Sequence, residues 1–187
     1  MKIGFAICGS FCTFSRIIPQ LEALKSSNYE LLPIMSPIAY STDTRFGKAS
    51  DFTSKIEEIC GCKIIKTIPE AEPIGPKKLL DALIVAPATG NTMAKLACGI
   101  CDTSVTMAAK AHLRSDRPLV LALCSNDALS ANLQNISILL ERKNVFFVPM
   151  RQDDPSGKPH SLVCEFSLLD STFKGALERK QIQPLFI

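Results

Sequence analysis

Residues 83–102, LIVAPATGNTMAKLACGICD, have the pattern of a strand, a polar loop and a helix in direct succession. The four apolar residues 83–86 suit a short strand that is buried on both faces, and Pro87 is expected to end it. After the loop, apolar residues recur with the i, i+3, i+4, i+7 spacing of a helix, at Met93, Leu96, Ala97 and Ile100. A buried strand that leads directly into a helix is the unit of a parallel α/β sheet, which limits the folds open to the chain.

The polar loop between this strand and helix, residues 88–91, lies where a helix leaves its first amides unpaired. Thr89, Asn91 and Thr92 supply hydroxyl and amide groups at that point. The helix dipole also favours negative charge there. We therefore predict a seat for a phosphate or a carboxylate.

The alternation of strand and helix patterns continues along most of the chain. Predicted strands cover residues 2–8, 29–35, 63–68, 83–86, 119–123 and 145–148. Apolar helix stripes separate them, beginning at Phe14, Phe52, Met93, Ser104 and Leu129. Loops are expected at residues 36–50 and 69–76, the second because it holds three prolines and Gly75. The pattern predicts a six-stranded, mostly parallel sheet with helices on both faces.

At 187 residues the chain fits a single α/β domain, with a core in residues 1–150. Residues 151–187 are predicted to form a turn-rich loop and a last helix, whose stripe is Leu162, Phe166, Leu169, Phe173 and Leu177. The net charge of +3 is spread out, so nucleic acid is not an expected partner. No apolar run approaches the roughly 20 residues of a membrane span, and no secretory signal is recognised. We expect a cytoplasmic protein.

Ligands of such sheets bind at the carboxyl ends of the strands, and small polar residues recur at those ends here. Besides the central loop they are Gly9, Ser10 and Ser36, and then residues 125–127. Gly9 and Ser10 would let a phosphate approach backbone amides, or would only make a tight turn. The GxGxxG fingerprint is absent, which favours a mononucleotide over a dinucleotide.

Candidate catalytic residues are few. Asn126 and Asp127 could orient a substrate, although Asp127 more simply caps a helix expected to begin near Ala128. His160, in a polar loop, is a better acid–base candidate than His112, which we expect to be packed or solvent-facing. The adjacent carboxylates at positions 153 and 154 precede a proline and are typical of a turn.

The eight cysteines lie mostly inside apolar patterns, where the reduced thiol behaves as a small hydrophobe. Cys98 and Cys101 form a CxxC, but at the C-terminal end of the predicted helix, which opposes a reactive thiolate. Together with Cys60 and Cys62 they could hold zinc, yet this is not a usual zinc spacing, and we predict no metal.

Residues 86–103, APATGNTMAKLACGICDT, resemble the APAT-N-hAKhA-Gh-D signature of the flavoprotein family, which includes flavin-containing cysteine decarboxylases, phosphopantothenoylcysteine decarboxylase and flavin prenyltransferases. GFAICGSFCTF, PEAEPIGPK, SNDALSANLQNI and NVFFVPMRQDDPSGKPHSLV extend the resemblance to one member over nearly the whole chain. The resemblance implies a Rossmann-like three-layer sandwich, a trimer or dodecamer, and an FMN-type site at a subunit interface. The matching positions are Gly9, Ser10, Ser36, Ala88, Thr89, Asn91 and Thr92.

The resemblance also implies a second subunit, similar to a nicotinamide-dependent dehydrogenase, and joint oxidation of a small dicarboxylate to an aromatic pyridine. The decarboxylases carry a catalytic histidine ahead of the central strand, where this chain has none, and their PxMNxxM segment corresponds to CSNDALSAN, which keeps only Asn126. The chain then either binds flavin and relays hydride, or binds the dicarboxylate or another anion and completes the second subunit's site. A stand-alone FMN-dependent decarboxylase or prenyltransferase, and an assembly protein with a vestigial site, are further hypotheses.

Overall fold

The computed structural model describes residues 1–187 and contains one seven-stranded sheet. The strands are β1 (Lys2–Ile7), β2 (Glu30–Met35), β3 (Ala82–Ala88), β4 (Leu119–Ser125), β5 (Val145–Phe147), β6 (Met150–Arg151) and β7 (Leu162–Cys164). The helices are α1 (Phe14–Ser26), α2 (Pro37–Ser41), α3 (Ala49–Cys60), α4 (Ile68–Ala71), α5 (Gly90–Ala97), α6 (Ser104–Leu113), α7 (Leu133–Leu140) and α8 (Leu169–Leu177). None of them has the length and apolar character that a membrane crossing requires.

The sheet order is β2-β1-β3-β4, with every pairing parallel, and β3 and β4 lie at its centre. β5 continues the parallel sheet beside the first half of β4. β7 pairs antiparallel with the end of β4 at Cys124 and Ser125, and β6 pairs antiparallel with β7. The carboxyl ends of β1, β2, β3 and β4 therefore open at one edge of the sheet.

A hydrophobic core lies on each face of this sheet. Along β3, Ile84 points to one face and Val85 to the other, as expected for a strand covered on both sides. Helices α1, α3 and α8 pack on the first face, and α5, α6 and α7 on the second. The predicted three-layer, mostly parallel architecture is confirmed.

Residues 63–68, predicted as a strand, make only a single bridge between Ile65 and Ile34. The predicted loop at residues 69–76 instead contains α4 and a short 3-10 turn, because a proline is tolerated in the first helical turn, where no amide partner is needed. Thr67 and Glu70 form a capping box that starts this helix. The predicted loop at 36–50 likewise contains α2, which Ser36 caps.

Two other predicted boundaries are wrong. β3 does not end at Pro87 but runs to Ala88, through a register shift against β4 that accommodates the missing amide. α5 ends at Ala97, and Ile100 lies outside it, half exposed, beyond Gly99 with φ of +73°.

The C-terminal segment begins as a strand rather than a helix. Leu162 belongs to β7, and the last helix starts only at Leu169. Three apolar residues in a row, LVC, suit a buried edge pairing with β4 as well as they suit a helix stripe, and the tertiary contact decided between them. Since residues 63–68 do not form a strand, the other five predicted strands with β6 and β7 make a sheet of seven strands instead of six.

Candidate functional site

Two adjoining cavities open at the carboxyl edge of the sheet. A cleft of about 840 Å³ lies between the first turn after β1, the start of α5, the turn after β4 and residues 157–163. A smaller pocket of about 440 Å³ lies between the end of β1, the start of α2 and α5. Gly9, Thr89 and Asn91 line both cavities. The strand-end residues predicted to gather round one ligand are therefore close together.

The loop after β3 begins α5 as the sequence predicted. The Thr89 Oγ1 accepts a hydrogen bond from the amide of Thr92 at 3.3 Å and so caps the helix. The two hydroxyls are 3.0 Å apart, and Thr92 donates onward to the Sγ of Cys8 at 3.2 Å. The amides of Gly90 and Asn91 belong to the first turn, which has no preceding carbonyl to bond, and no side chain accepts from them. These amides and the exposed Asn91 side chain are the donors that α5 offers to an anion.

Burial raises the pKa of the Cys8 thiol to about 11, against smaller opposing effects of hydrogen bonds from Thr92 and the Thr89 backbone. Cys8 is 1% exposed at the end of β1. It is therefore a neutral thiol at physiological pH, and it supports the seat rather than acting as a nucleophile.

The other predicted seat residues occupy different positions around the two cavities. Ser10 lies in the larger cleft and Ser36 in the smaller pocket, where its Oγ accepts from the amide of Ala39 at 3.4 Å. Gly9 lies close to α2, since a Cβ there would lie 3.1 Å from the Ile38 Cγ2. Ala88 is fully buried at the end of β3 and lines neither cavity.

The smaller pocket is lined by donors and contains no carboxylate. The residues that line it include Ser36, Thr103, Asn91 and Lys95, whose side chains carry hydroxyl, amide and ammonium groups. Lys95 is held by Asp102 through contacts of 2.8 and 2.9 Å, and the same ion pair lowers the pKa of the Asp102 carboxyl. Such a set of donors suits the oxygens of a doubly charged phosphate better than it suits a metal ion.

The larger cleft contains charges of both signs. Asp127, His160 and the Lys158–Asp153 ion pair, at 3.2 Å, line this cleft, and the His160 carbonyl accepts from the Leu129 amide in the turn after β4. His160 and Asn126 are both exposed and line this cleft, so both catalytic candidates are at the candidate site. The Asp153 pKa is lowered, first by a hydrogen bond from Ser161.

A chain of hydrogen-bonded side chains behind this cleft was not predicted from the sequence. Ser125 donates to one carboxylate oxygen of Asp127, and Asn132 donates to the other at 2.8 Å. Asn135 in turn donates to Asn132 at 2.9 Å. Asp127 does not cap a helix at Ala128, because a turn extends to Asn132 and α7 begins at Leu133. A sequence signal existed in Asn132 and Asn135, two amides next to the apolar stripe of α7.

The remaining polar candidates lie elsewhere. His112 is buried in α6, with its Nε2 3.0 Å from the Pro118 carbonyl, and burial lowers its pKa to about 4. Cys98 caps the end of α5 and Cys101 follows in the loop, as the sequence indicated. No group of three histidine, cysteine or acidic side chains is close enough to hold a metal ion.

Residues 1–182, which are nearly the whole chain, match the flavoprotein family. The chain belongs to the flavoprotein family.

Within the flavoprotein family, the chain is 44% identical to the B subunit of dipicolinate synthase of Bacillus subtilis strain 168, over 100% of this chain and 93% of that protein. The crystal structure of the dipicolinate synthase B subunit from Bacillus halodurans C has 40% identity and a TM-score of 0.91, with coverage of 100% and 95%. A dodecameric FMN-dependent UbiX-like decarboxylase from Escherichia coli O157:H7 has 27% identity and a TM-score of 0.66, with coverage of 80% of each chain. The predicted family and Rossmann-like fold are confirmed.

Proposed function

We propose that this flavoprotein-family chain is the B subunit of a dipicolinate synthase. With an A subunit that carries the nicotinamide cofactor, it would oxidise a dihydrodipicolinate-level intermediate of the lysine pathway to dipicolinate, in the cytoplasm of the mother cell of a sporulating bacterium. The observation that carries the proposal is the 44% identity, along the full length of the chain, with a known B subunit. An enzymatic role is supported by the family, and the proposed parts are the oxidoreductase class and the need for the A subunit.

We further propose that the two adjoining cavities hold FMN. The donor-lined pocket, free of carboxylates, suits the phosphate, and the connected cleft leaves room for a planar ring. Gly9, Ser10, Ser36, Thr89, Asn91 and Thr92 would hold the cofactor, with Ala88 fixing the end of β3. When bound, FMN would supply a ring that accepts hydride. The FMN-dependent relative supports the choice of cofactor over a bare phosphate or another anion.

The chain's own residues would bind and orient the dicarboxylate in the larger cleft. Lys158 and His160 offer donors to a carboxylate, and Asn126 offers an amide. Two large apolar residues border the cavities: Ile38, 58% exposed, lines the smaller pocket, and Phe46, 46% exposed, lines the larger cleft. In a trimer or dodecamer, further copies of the chain would cover these residues and exclude water from the site. Such an assembly agrees with the dodecameric relative.

The test is to purify the chain with and without the A subunit, record the visible spectrum and assay dipicolinate. We expect a yellow protein with a flavin band, and dipicolinate formation only in the reconstituted pair. If the chain is colourless and the pair is still active, the site binds the substrate or another anion instead of FMN. Release of CO₂ from a cysteinyl substrate by the chain alone would favour a decarboxylase and contradict the proposal.

A further inference from the structure

The hydrogen bonds behind the larger cleft have only one possible direction. Both oxygens of the Asp127 carboxylate are occupied, one by Ser125 and one by Asn132. Because the carboxylate accepts, Asn132 must turn its NH₂ group towards it. The Asn132 carbonyl oxygen then faces Asn135, which must donate its own NH₂ at 2.9 Å. The carboxylate thus sets the order of donors and acceptors along the whole chain of hydrogen bonds.

The Ser125 hydroxyl is the end of this chain that reaches the cleft. Its single proton is given to Asp127, so its oxygen has only lone pairs left for a ligand. No backbone amide and no other side chain donates to this oxygen. Ser125 lines the cleft and is partly exposed. It can accept a hydrogen bond from a ligand but has no proton left to donate.

The Gly90 backbone packs closely against this chain of hydrogen bonds. A Cβ at Gly90 would lie 2.5 Å from the Ser125 Oγ, 2.6 Å from the Asn132 Nδ2 and 2.7 Å from the Asp127 Oδ1. Asn132 and Asn135 are 6% and 7% exposed, so water competes little for their bonds. The hydroxyl therefore lies directly against the start of α5, where the predicted seat is.

We propose that Ser125 determines ligand specificity, by selecting a ring that carries an N–H or O–H donor over a ring that presents a lone pair. Asp127 is the positioning residue that fixes its polarity. Under the proposed function, on which this inference rests, a reduced ring with a donor would bind, while the aromatic pyridine product, whose ring nitrogen has only a lone pair, would be rejected and released. When a bound ring excludes water from the Ser125 oxygen, an acceptor that faces this oxygen leaves both groups without a donor, which is costly and gives the discrimination its physical basis.

The test compares two planar aromatic dicarboxylates that differ in the ring group: pyrrole-2,5-dicarboxylate, which has an N–H donor, and pyridine-2,6-dicarboxylate, which has a lone pair. Their dissociation constants for the full chain are measured by titration calorimetry. We expect the pyrrole acid to bind about tenfold more tightly, which is about 1.4 kcal/mol.

The variants separate the role of Ser125 from general effects on the cleft. Ser125→Ala should bring the ratio of the two dissociation constants close to one. Asp127→Asn should lower it, because without the carboxylate the amide at position 127 can donate to Ser125 and leave the hydroxyl proton free for the cleft. Ser130→Ala is the matched control, since this hydroxyl of the same turn bonds the Asp127 backbone and does not line the cleft. Its ratio should equal that of the unmodified chain.

Equal binding of both acids by the unmodified chain, or a preference that survives Ser125→Ala, would overturn the inference and leave the proposed function intact. If the unmodified chain binds neither acid, the dicarboxylate function fails and the inference fails with it. Thermal unfolding of each variant checks the fold. Should Asp127→Asn not fold, the Ser125→Ala ratio decides alone.

Discussion

The Thr92 hydroxyl donates a hydrogen bond to the Sγ of Cys8 at 3.2 Å and so links the first turn of α5 to the end of β1. The two residues are 84 positions apart in the sequence. The contact adds to the parallel pairing of β1 with β3, which places the loops after these strands side by side, and both loops line the cavities. A buried thiol is therefore one of the groups that hold the candidate site together.

We predict that Cys8 is unreactive in the folded protein, because the thiol is buried and its pKa is raised to about 11. Cys12, nearby in the sequence and exposed, is the internal control. Iodoacetamide labelling at mildly alkaline pH, read by mass spectrometry, should modify Cys12 in the native protein and Cys8 only after unfolding in urea. Equal labelling rates of the two cysteines under native conditions would contradict the structure.

Alanine at Thr89 or at Asn91 should weaken FMN or phosphate binding by about 1 to 3 kcal/mol, because each removes a polar group at the start of α5. Thr89→Ala also removes the helix cap and should cost about 1 kcal/mol of stability. Thr67→Ala, which removes the cap of α4 away from the seat, is the matched control. It should lose stability but no affinity. Unchanged affinity and unchanged dipicolinate formation in both seat variants would mean that the site is vestigial.

Gly90→Ala should lower stability by about 1 to 3 kcal/mol, since the added Cβ overlaps three polar atoms. One of them belongs to Ser125, so the cost should be smaller when Ser125→Ala is already present. Urea unfolding of the two single variants and the double variant measures this coupling. Additive costs would show that the Ser125 side chain does not pack on Gly90.

His112 should make stability depend on pH between about 6.5 and 4. Burial lowers its pKa to about 4, so below pH 6.5 the unfolded chain takes up a proton that the folded chain does not. Stability should therefore fall as the pH falls through this window, by on the order of 3 kcal/mol at the limit. His112→Gln keeps a donor for the Pro118 carbonyl but does not titrate, and its unfolding free energy should fall less. Identical pH profiles of the two proteins would exclude a neutral buried imidazole.

Local patterns in the sequence were enough to predict the layers of this fold and to indicate the place of a candidate site. Apolar strands followed by striped helices require a parallel sheet covered on both faces, and the side chains of Thr89 and Thr92 fall where a helix leaves amides unpaired. These features depend on neighbours along the chain, so their spacing alone was informative. The position of Cys98 at the end of α5 was predictable for the same reason.

Which polar groups act together could be read only from the folded chain. Leu162 joined β7 rather than a helix because the end of β4 offered it a strand to pair with. The sequence predicts Asp127 as a helix cap, because it does not show that Ser125 and Asn132 both donate to the Asp127 carboxylate. Short apolar runs and isolated polar residues are compatible with several local structures, and the partner that each one meets in three dimensions selects among them.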